Sequence, residues 1–312
     1  MISWQFLYDI GISTDSISFD APFGTLTWFK TGGTAKALLR LTNTSLIPAI
    51  LQGCHQRNIP VFFWGDGSNL LVSDSGFDGL VIDTKTLLPQ LDYNIDTGLC
   101  RLSSGLLVKD VVMLICDQGL QGLEYFYGLP GTVGGAVFMN ARCYDHEWSD
   151  IFVRASIIYH TGQSSIITYD AKNWSYKKSP FQEANALIEW VEVQLIPGAD
   201  KSKLRDTALI CYQDRESKGH FRAPCAGSFF KNNRSFGHPT GKLIENMGLK
   251  GYSFGGAQVA PWHGNILINA NQATATDIYQ LCHIIQERAQ AHYQHQFEPE
   301  VIFLGNFVHA LK

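Results

Sequence analysis

The sequence predicts an α+β protein of more than one domain, and three observations carry that prediction. Helical and strand-like spacings alternate through the first hundred residues, a strand-rich stretch follows, and the turn cluster Pro197-Gly198-Ala199-Asp200 opens a further portion that starts with a helix. The chain has 312 residues, enough for two or three cores, and its 45% hydrophobic and 17% charged content excludes a disordered chain. No internal repeat or low-complexity run interrupts it.

Taken in order, Leu46, Ile47, Ile50, Leu51 and Cys54 recur at helical spacing over 46–58, and the β-rich Val61-Phe62-Phe63-Trp64 follows. The turn Gly65-Asp66-Gly67-Ser68-Asn69 leads into a strand at Leu70-Leu71-Val72, and Gly76-Phe77-Asp78-Gly79 into another at Leu80-Val81-Ile82. A second helix is predicted from Val108 to Gln118, ended by Gly119. Strands are expected from Phe152 to Ile158, at Ser165-Ile166-Ile167 and from Ala186 to Leu195. Beyond Asp200 the pattern gives a helix from about Lys201 to Arg215, then one with Pro239 near its start and Gly248 just past its end. A last helix begins near Thr276-Asp277 and buries Ile278, Leu281, Cys282 and Ile285, and Val301 to Leu304 closes as a strand.

Charge and cysteine content narrow the function. A net charge of −4 offers no basic footprint, so nucleic acid is not an expected partner. Nothing in Met1-Ile2-Ser3-Trp4-Gln5-Phe6 reads as a signal peptide, and no apolar run is long enough to span a bilayer. Seven cysteines without paired short spacings read as reduced core thiols of a cytoplasmic protein, and no metal site is expected. No obligate protein partner is inferred.

Two glycine-rich segments and one serine carry the chemistry. Gly128-Leu129-Pro130-Gly131-Thr132-Val133-Gly134-Gly135 lacks the GxGxxG spacing, and Pro130 breaks the strand-to-helix turn a dinucleotide fingerprint needs. It offers instead a run of backbone N–H groups with little side chain in the way, as does Gly65 to Asn69 with Ser68 and Asn69 as added donors. Either alone is more often an ordinary tight turn; two beside apolar strands point to one elongated phosphate-bearing cofactor. Gly237-His238-Pro239-Thr240-Gly241-Lys242 is one residue short of a phosphate loop and reads as a capped helix start. Ala226-Gly227-Ser228-Phe229-Phe230-Lys231-Asn232, with the late carboxylate of Glu300, suggests proton delivery to a substrate held by polar and cationic groups. The commoner uses of these two residues are a buried loop end for Ser228 and a strand-entry surface position for Glu300.

These segments, together with Gly122-Leu123-Glu124, Asn140-Ala141, Gly241-Lys242-Leu243-Ile244-Glu245, Gly248-Leu249-Lys250-Gly251, Gly255-Gly256-Ala257-Gln258 and Glu298-Pro299-Glu300, occur in order. From Thr27-Trp28-Phe29-Lys30-Thr31-Gly32-Gly33 to Gly305 the chain resembles the UDP-N-acetylenolpyruvoylglucosamine reductases, FAD-dependent enzymes of bacterial peptidoglycan precursor synthesis and cell-wall biogenesis. The resemblance implies a vanillyl-alcohol-oxidase-type FAD-binding fold of two α+β subdomains, with a third α+β domain on the substrate side. On that reading 1–20 is an N-terminal extension, 21–197 binds FAD (subdomains about 21–90 and 91–197), and 198–312 binds substrate.

It further implies that Gly65, Gly67, Ser68, Asn69, Pro130, Gly131, Thr132, Gly134, Gly135 and Ala136 hold the FAD pyrophosphate, with Asn140 close to that loop. NADPH reduces the flavin and leaves. Hydride then passes from flavin N5 to the enolpyruvyl methylene carbon of the UDP-sugar, and Ser228 supplies the proton, assisted by Glu300. Arg215 and Lys218 match an Arg-x-x-Lys arrangement for the nicotinamide dinucleotide or substrate carboxylate, Lys231 and Asn232 are expected at the UDP diphosphate, and Tyr176 faces substrate. The short run from Ser179 to Asp200 implies the loop-less type II form.

Three departures stand out. The family's Tyr-Arg-x-Ser is Tyr176-Lys177-Lys178-Ser179 here, so Lys177 stands where the resemblance implies a catalytic arginine, and Lys177 or Lys178 keeps the charge without the fork. The usual Asn-Ala-Gly-Ala-Tyr-Gly becomes Asn140-Ala141-Arg142-Cys143-Tyr144-Asp145, in which Arg142 either supplies charge near the flavin or fills a loop. After Lys218, Gln-Pro becomes Gly219-His220-Phe221. The lysine motivates an alternative of another class, a flavoprotein or UDP-sugar-binding protein of the same fold that has lost the reaction.

Overall fold

The computed structural model describes residues 3–307 except 43 and 88; Met1-Ile2 and 308–312, the outer ends of the expected extension and third domain, lie outside them. The chain forms two compact units, each gathered from separate stretches. One takes in the chain up to Phe19, then Ala37–Asp66 and Gly79–Gln213; the other takes in Asp20–Lys36, Gly67–Asp78 and the chain from Asp214 onward. Mixed helices and sheets make it α+β, as its sequence predicts.

The first unit is built on a five-stranded antiparallel sheet in the order Ser164–Thr168, Phe152–Tyr159, Ala186–Gln194, Leu99–Ser103, Leu91–Tyr93. Val and Ile recur in the first three of these strands because branched side chains pack well on a pleated surface. The helix Val108–Asp117 buries Val108, Val111, Val112, Ile115 and Cys116 in a cluster with Val191, Val193 and Ile157, as a 3.6-residue repeat dictates. Gly119 follows it at φ 73°, a conformation that ends a helix without a Cβ penalty. A second cluster places the helix Ile47–Gln56 over the parallel pair in which Val61 to Trp64 face Leu80 to Asp83.

The short helix Val133–Phe138 is the element that the sequence hides. Two glycines in its first turn lower its helix propensity by about 1 kcal/mol each. Packing requires one of them: a Cβ on Gly134 would lie 2.7 Å from the Ser104 side chain.

The second unit carries a four-stranded antiparallel sheet in the order Cys225–Ser228, Ile266–Asn269, Ala257–Val259, Ser253–Phe254. The helix Ala275–Tyr293 buries Ile278, Leu281, Cys282, Ile285 and Ala289 in the core that this sheet shares. Its start is fixed twice. Thr274 and Asp277 form a capping box, and the Asp74 carboxylate accepts from the backbone N–H groups of Ala275 and Thr276 at 2.8 Å each. Ile302–Leu304 adds a parallel partner to Leu70–Val72. All seven cysteines are buried thiols, and burial pushes those of Cys54 and Cys116 up to about 12. No described helix is long and apolar enough to cross a membrane.

Candidate active site

In the first unit the Gly65 turn and the Gly131–Gly135 stretch meet. A Cβ on Gly65 would lie 2.7 Å from Thr132 Oγ1, so only glycine permits this approach. The local hydrogen bonds then decide which donors face outward. Val133 N–H donates to the Leu106 carbonyl, Gly134 N–H to Ser104, Ala136 N–H to Thr132, and Gly135 N–H to Thr132 Oγ1 at 3.2 Å. The N–H groups of Gly131, at φ 117°, and Thr132 donate to no described acceptor. The expected backbone cradle of Pro130 to Ala136 therefore narrows to two donors, because four residues spend theirs on the helix and its anchor. Two adjacent amides without a described backbone acceptor, beside Gly65 and the Thr132 hydroxyl, fit a phosphate-bearing group. Gly67, Ser68 and Asn69 belong to the second unit, where Gly67 accepts from Trp28 N–H and the Asn69 amide donates to the Glu300 carbonyl at 3.1 Å.

Tyr176 and Lys177 form the tip of a four-residue turn, also in the first unit. Ser175 and Lys178 exchange backbone hydrogen bonds of 3.1 and 2.9 Å. Lys177 sits at φ 59°, a left-handed conformation that costs a non-glycine residue about 1 kcal/mol or more. It is nevertheless buried, with Tyr176 half exposed. Gln182 Nε2 donates to the Lys177 carbonyl and the Phe138 carbonyl, both at 3.0 Å, and Ser179 Oγ donates to Phe138 at 2.6 Å. From the other side Asn140, fully buried, donates from Nδ2 to the Ser175 carbonyl at 2.9 Å and to Glu147 at 3.0 Å. Between Ser179 and Asp200 the chain has room only for the helix Phe181–Ala184 and the strand Ala186–Gln194.

In the second unit Ser228 ends a strand at an irregularity. Cys225 pairs with Ile268 and Ser228 with Ile266, so Ala226 and Gly227 together oppose one residue. Gly227 at φ 71° makes this a glycine bulge, a device that twists a strand end and re-aims the next side chain. The segment then runs beside 298–300: Phe230 bridges Pro299, Glu300 N–H donates to Phe229 at 2.8 Å, and Lys231 N–H donates to Glu298 at 2.9 Å. Glu300, 72 positions from Ser228 in sequence, is thus hydrogen-bonded to the residue that directly follows that serine. Asn265 clamps the segment, accepting from Phe230 N–H at 2.9 Å and donating to the Phe230 carbonyl at 2.8 Å. Nothing local in the sequence marks Asn265, because its partner lies 35 residues away.

The remaining expected contacts are partly spoken for. Lys231 Nζ pairs with Glu298 at 2.6 Å, and Lys218 Nζ with Asp214 at 2.6 Å. Asn232 Oδ1 accepts from Thr240 N–H at 2.9 Å, which leaves its Nδ2 donors for a ligand. Arg215 closes the helix Lys201–Ser217, and its charge bears on His220. His220 is buried, with Nδ1 unpartnered, and its pKa is pushed down to about 3, first by burial and then by Arg215.

Comparison with known proteins shows the class of protein, a flavin-dependent oxidoreductase. Residues 35–166 match the family model described as FAD binding domain, and residues 219–304 that described as UDP-N-acetylenolpyruvoylglucosamine reductase, C-terminal domain. A UDP-N-acetylenolpyruvoylglucosamine reductase of Treponema denticola is 40% identical over 94% of each chain, and that of Borreliella burgdorferi is 36% identical over 89% of this chain and 91% of its own. The crystal structure of the reductase from Thermus caldophilus superposes with a TM-score of 0.74 at 26% identity, covering 93% of this chain and 98% of that one. The chain belongs to the UDP-N-acetylenolpyruvoylglucosamine reductase family, and it is an FAD-dependent oxidoreductase.

Proposed function

We propose that this chain reduces the enolpyruvyl group of UDP-N-acetylglucosamine enolpyruvate to give UDP-N-acetylmuramate, with NADPH as the reductant, as a cytoplasmic step of peptidoglycan precursor synthesis. The observation that carries this reading is Ser228 on its glycine bulge, directly before the residue whose carbonyl accepts from Glu300 N–H. Bound FAD supplies the two-electron relay between NADPH and the enolpyruvyl methylene carbon. The Gly131 and Thr132 amides, beside Gly65, hold its pyrophosphate, and Gly67, Ser68 and Asn69 serve the same cofactor.

Addition at the methylene carbon leaves negative charge on the adjacent carbon and its carboxylate. Ser228 delivers the proton to that carbon, and Glu300 assists. A hydroxyl is a weak acid in water, but the carbanion-like species is a strong base, so transfer is downhill once the charge is held in place. Lys177 provides the cation for the substrate carboxylate, and Tyr176 lies against the substrate. Arg215 and Lys218 take the nicotinamide dinucleotide or the carboxylate, while Lys231 and the Asn232 Nδ2 donors suit diphosphate oxygens. On this reading 21–197 binds FAD and 198–312 binds substrate.

The test is anaerobic NADPH oxidation at about 340 nm by FAD-loaded protein, with and without the enolpyruvyl sugar nucleotide. Consumption that requires the sugar nucleotide, and that falls at least a hundredfold in Ser228→Ala while flavin stays bound, is the expected result. Flavin binding without sugar-dependent turnover would favour a binding protein that has lost the reaction.

A further inference from the structure

Arg142 occupies a position where the resemblance leads one to expect glycine, and the structure gives it a definite task. Arg142-Cys143 and His146-Glu147 form a small hairpin whose tip, Tyr144-Asp145, has φ 50° and 66°. Both tip residues are left-handed, the pattern of a type I′ turn, and such a tip needs support when neither residue is glycine. Arg142 supplies that support with both ends of its fork: Nη2 to Asp145 at 2.6 Å and Nη1 to Glu147 Oε1 at 2.8 Å. The other Glu147 oxygen accepts from Asn140, and Asn140 also donates to the Ser175 carbonyl. Ser175 opens the turn that carries Tyr176 and Lys177, and the Arg142 guanidinium lies 5.9 Å from the Tyr176 ring centre. The contacts therefore close a ring running from Arg142 through Glu147, Asn140 and Ser175 to Tyr176 and back. With both prongs committed to carboxylates, Arg142 is poorly placed to act as a substrate ligand itself.

We infer that Arg142 is a positioning residue for Lys177. Through this ring it fixes the Ser175–Lys178 turn, so that a single ammonium on a flexible stem is held where a planar guanidinium would be oriented by its own two-pronged contact. The inference rests on the reductase reading above, in which Lys177 meets the substrate carboxylate.

A double-mutant cycle on the FAD-loaded protein tests it, with Arg142→Gln placed in the natural chain and in Lys177→Arg. In the natural chain Arg142→Gln lowers kcat/KM for the enolpyruvyl sugar nucleotide about tenfold, leaving the flavin spectrum and KM for NADPH unchanged. In Lys177→Arg the same change costs about threefold or less, because the guanidinium orients itself. Equal losses in both backgrounds, or no loss in either, would overturn the inference. Backbone amide exchange in the same holoprotein gives a reading that needs no turnover: protection at Ser175 and Lys178 drops about tenfold in Arg142→Gln, and unchanged protection would also overturn it. Failure of the natural chain to turn over, with that loss of protection still observed, would sink the reductase reading and leave the positioning role standing.

Discussion

The turn carrying Lys177 and the strand carrying Ser228 are fixed in different ways. Ser228 is placed mainly by backbone: a bulge and the hydrogen bonds of the following residues to 298–300 set its position, and a single side chain, Asn265, clamps Phe230 two residues on. Lys177 is placed by side chains: Gln182, Ser179 and Asn140 grip a four-residue turn whose own backbone is strained at φ 59°. The comparison teaches that a residue tied into paired backbone is hard to displace without unfolding that pairing. A charge tied to a side-chain network can be retuned one contact at a time. It is the second kind of region that holds both Lys177 and Arg142, two positions at which the sequence resemblance leads one to expect other residues.

That difference predicts unequal costs. Asn265→Ala leaves a buried N–H and C=O of Phe230 unpaired and lowers stability by about 2–4 kcal/mol, whereas Gln182→Ala, on a half-exposed contact, costs about 1 kcal/mol. Denaturant unfolding of both variants checks the ratio; equal costs would erase the distinction between the two regions.

A smaller effect sharpens the ladder side. Burial, and then Arg215, hold His220 near 3 against its ordinary 6.5, so the unfolded chain binds a proton here more readily than the folded one. Its contribution to stability is complete above about pH 6.5 and is lost progressively as pH falls towards 3. His220→Gln removes that titration, and the fall in unfolding midpoint between roughly pH 6 and 4.5 becomes shallower. An unchanged slope would show that His220 does not enter the fold as a neutral imidazole.

Much of the scaffold was legible because its signals are local. Val108 to Cys116 repeat at helical spacing, and Ala186 to Gln194 carry branched residues at strand spacing. The helix Val133–Phe138 was not legible, since Gly134 and Gly135 argue against a helix and the compensating contact with Ser104 is distant in sequence. The two glycine turns were visible as separate donors. Their meeting at Thr132 was not, nor was the spending of the Val133, Gly134, Gly135 and Ala136 amides on local anchors. Ser228 and Glu300 stood out by type and company, but the bond from Glu300 N–H to Phe229 and the Asn265 clamp depend on pairings that only folding creates.

Lys177 bears the central claim, that this chain performs the family's reduction with an ammonium in place of the guanidinium. The direct measurement is the anaerobic reoxidation of the NADPH-reduced flavin by the enolpyruvyl sugar nucleotide in Lys177→Ala, Lys177→Arg and the natural chain. The account predicts a rate within about threefold of natural for the arginine form and at least tenfold slower for the alanine form, with flavin reduction by NADPH unaffected. Reoxidation of the alanine form at the natural rate would contradict it.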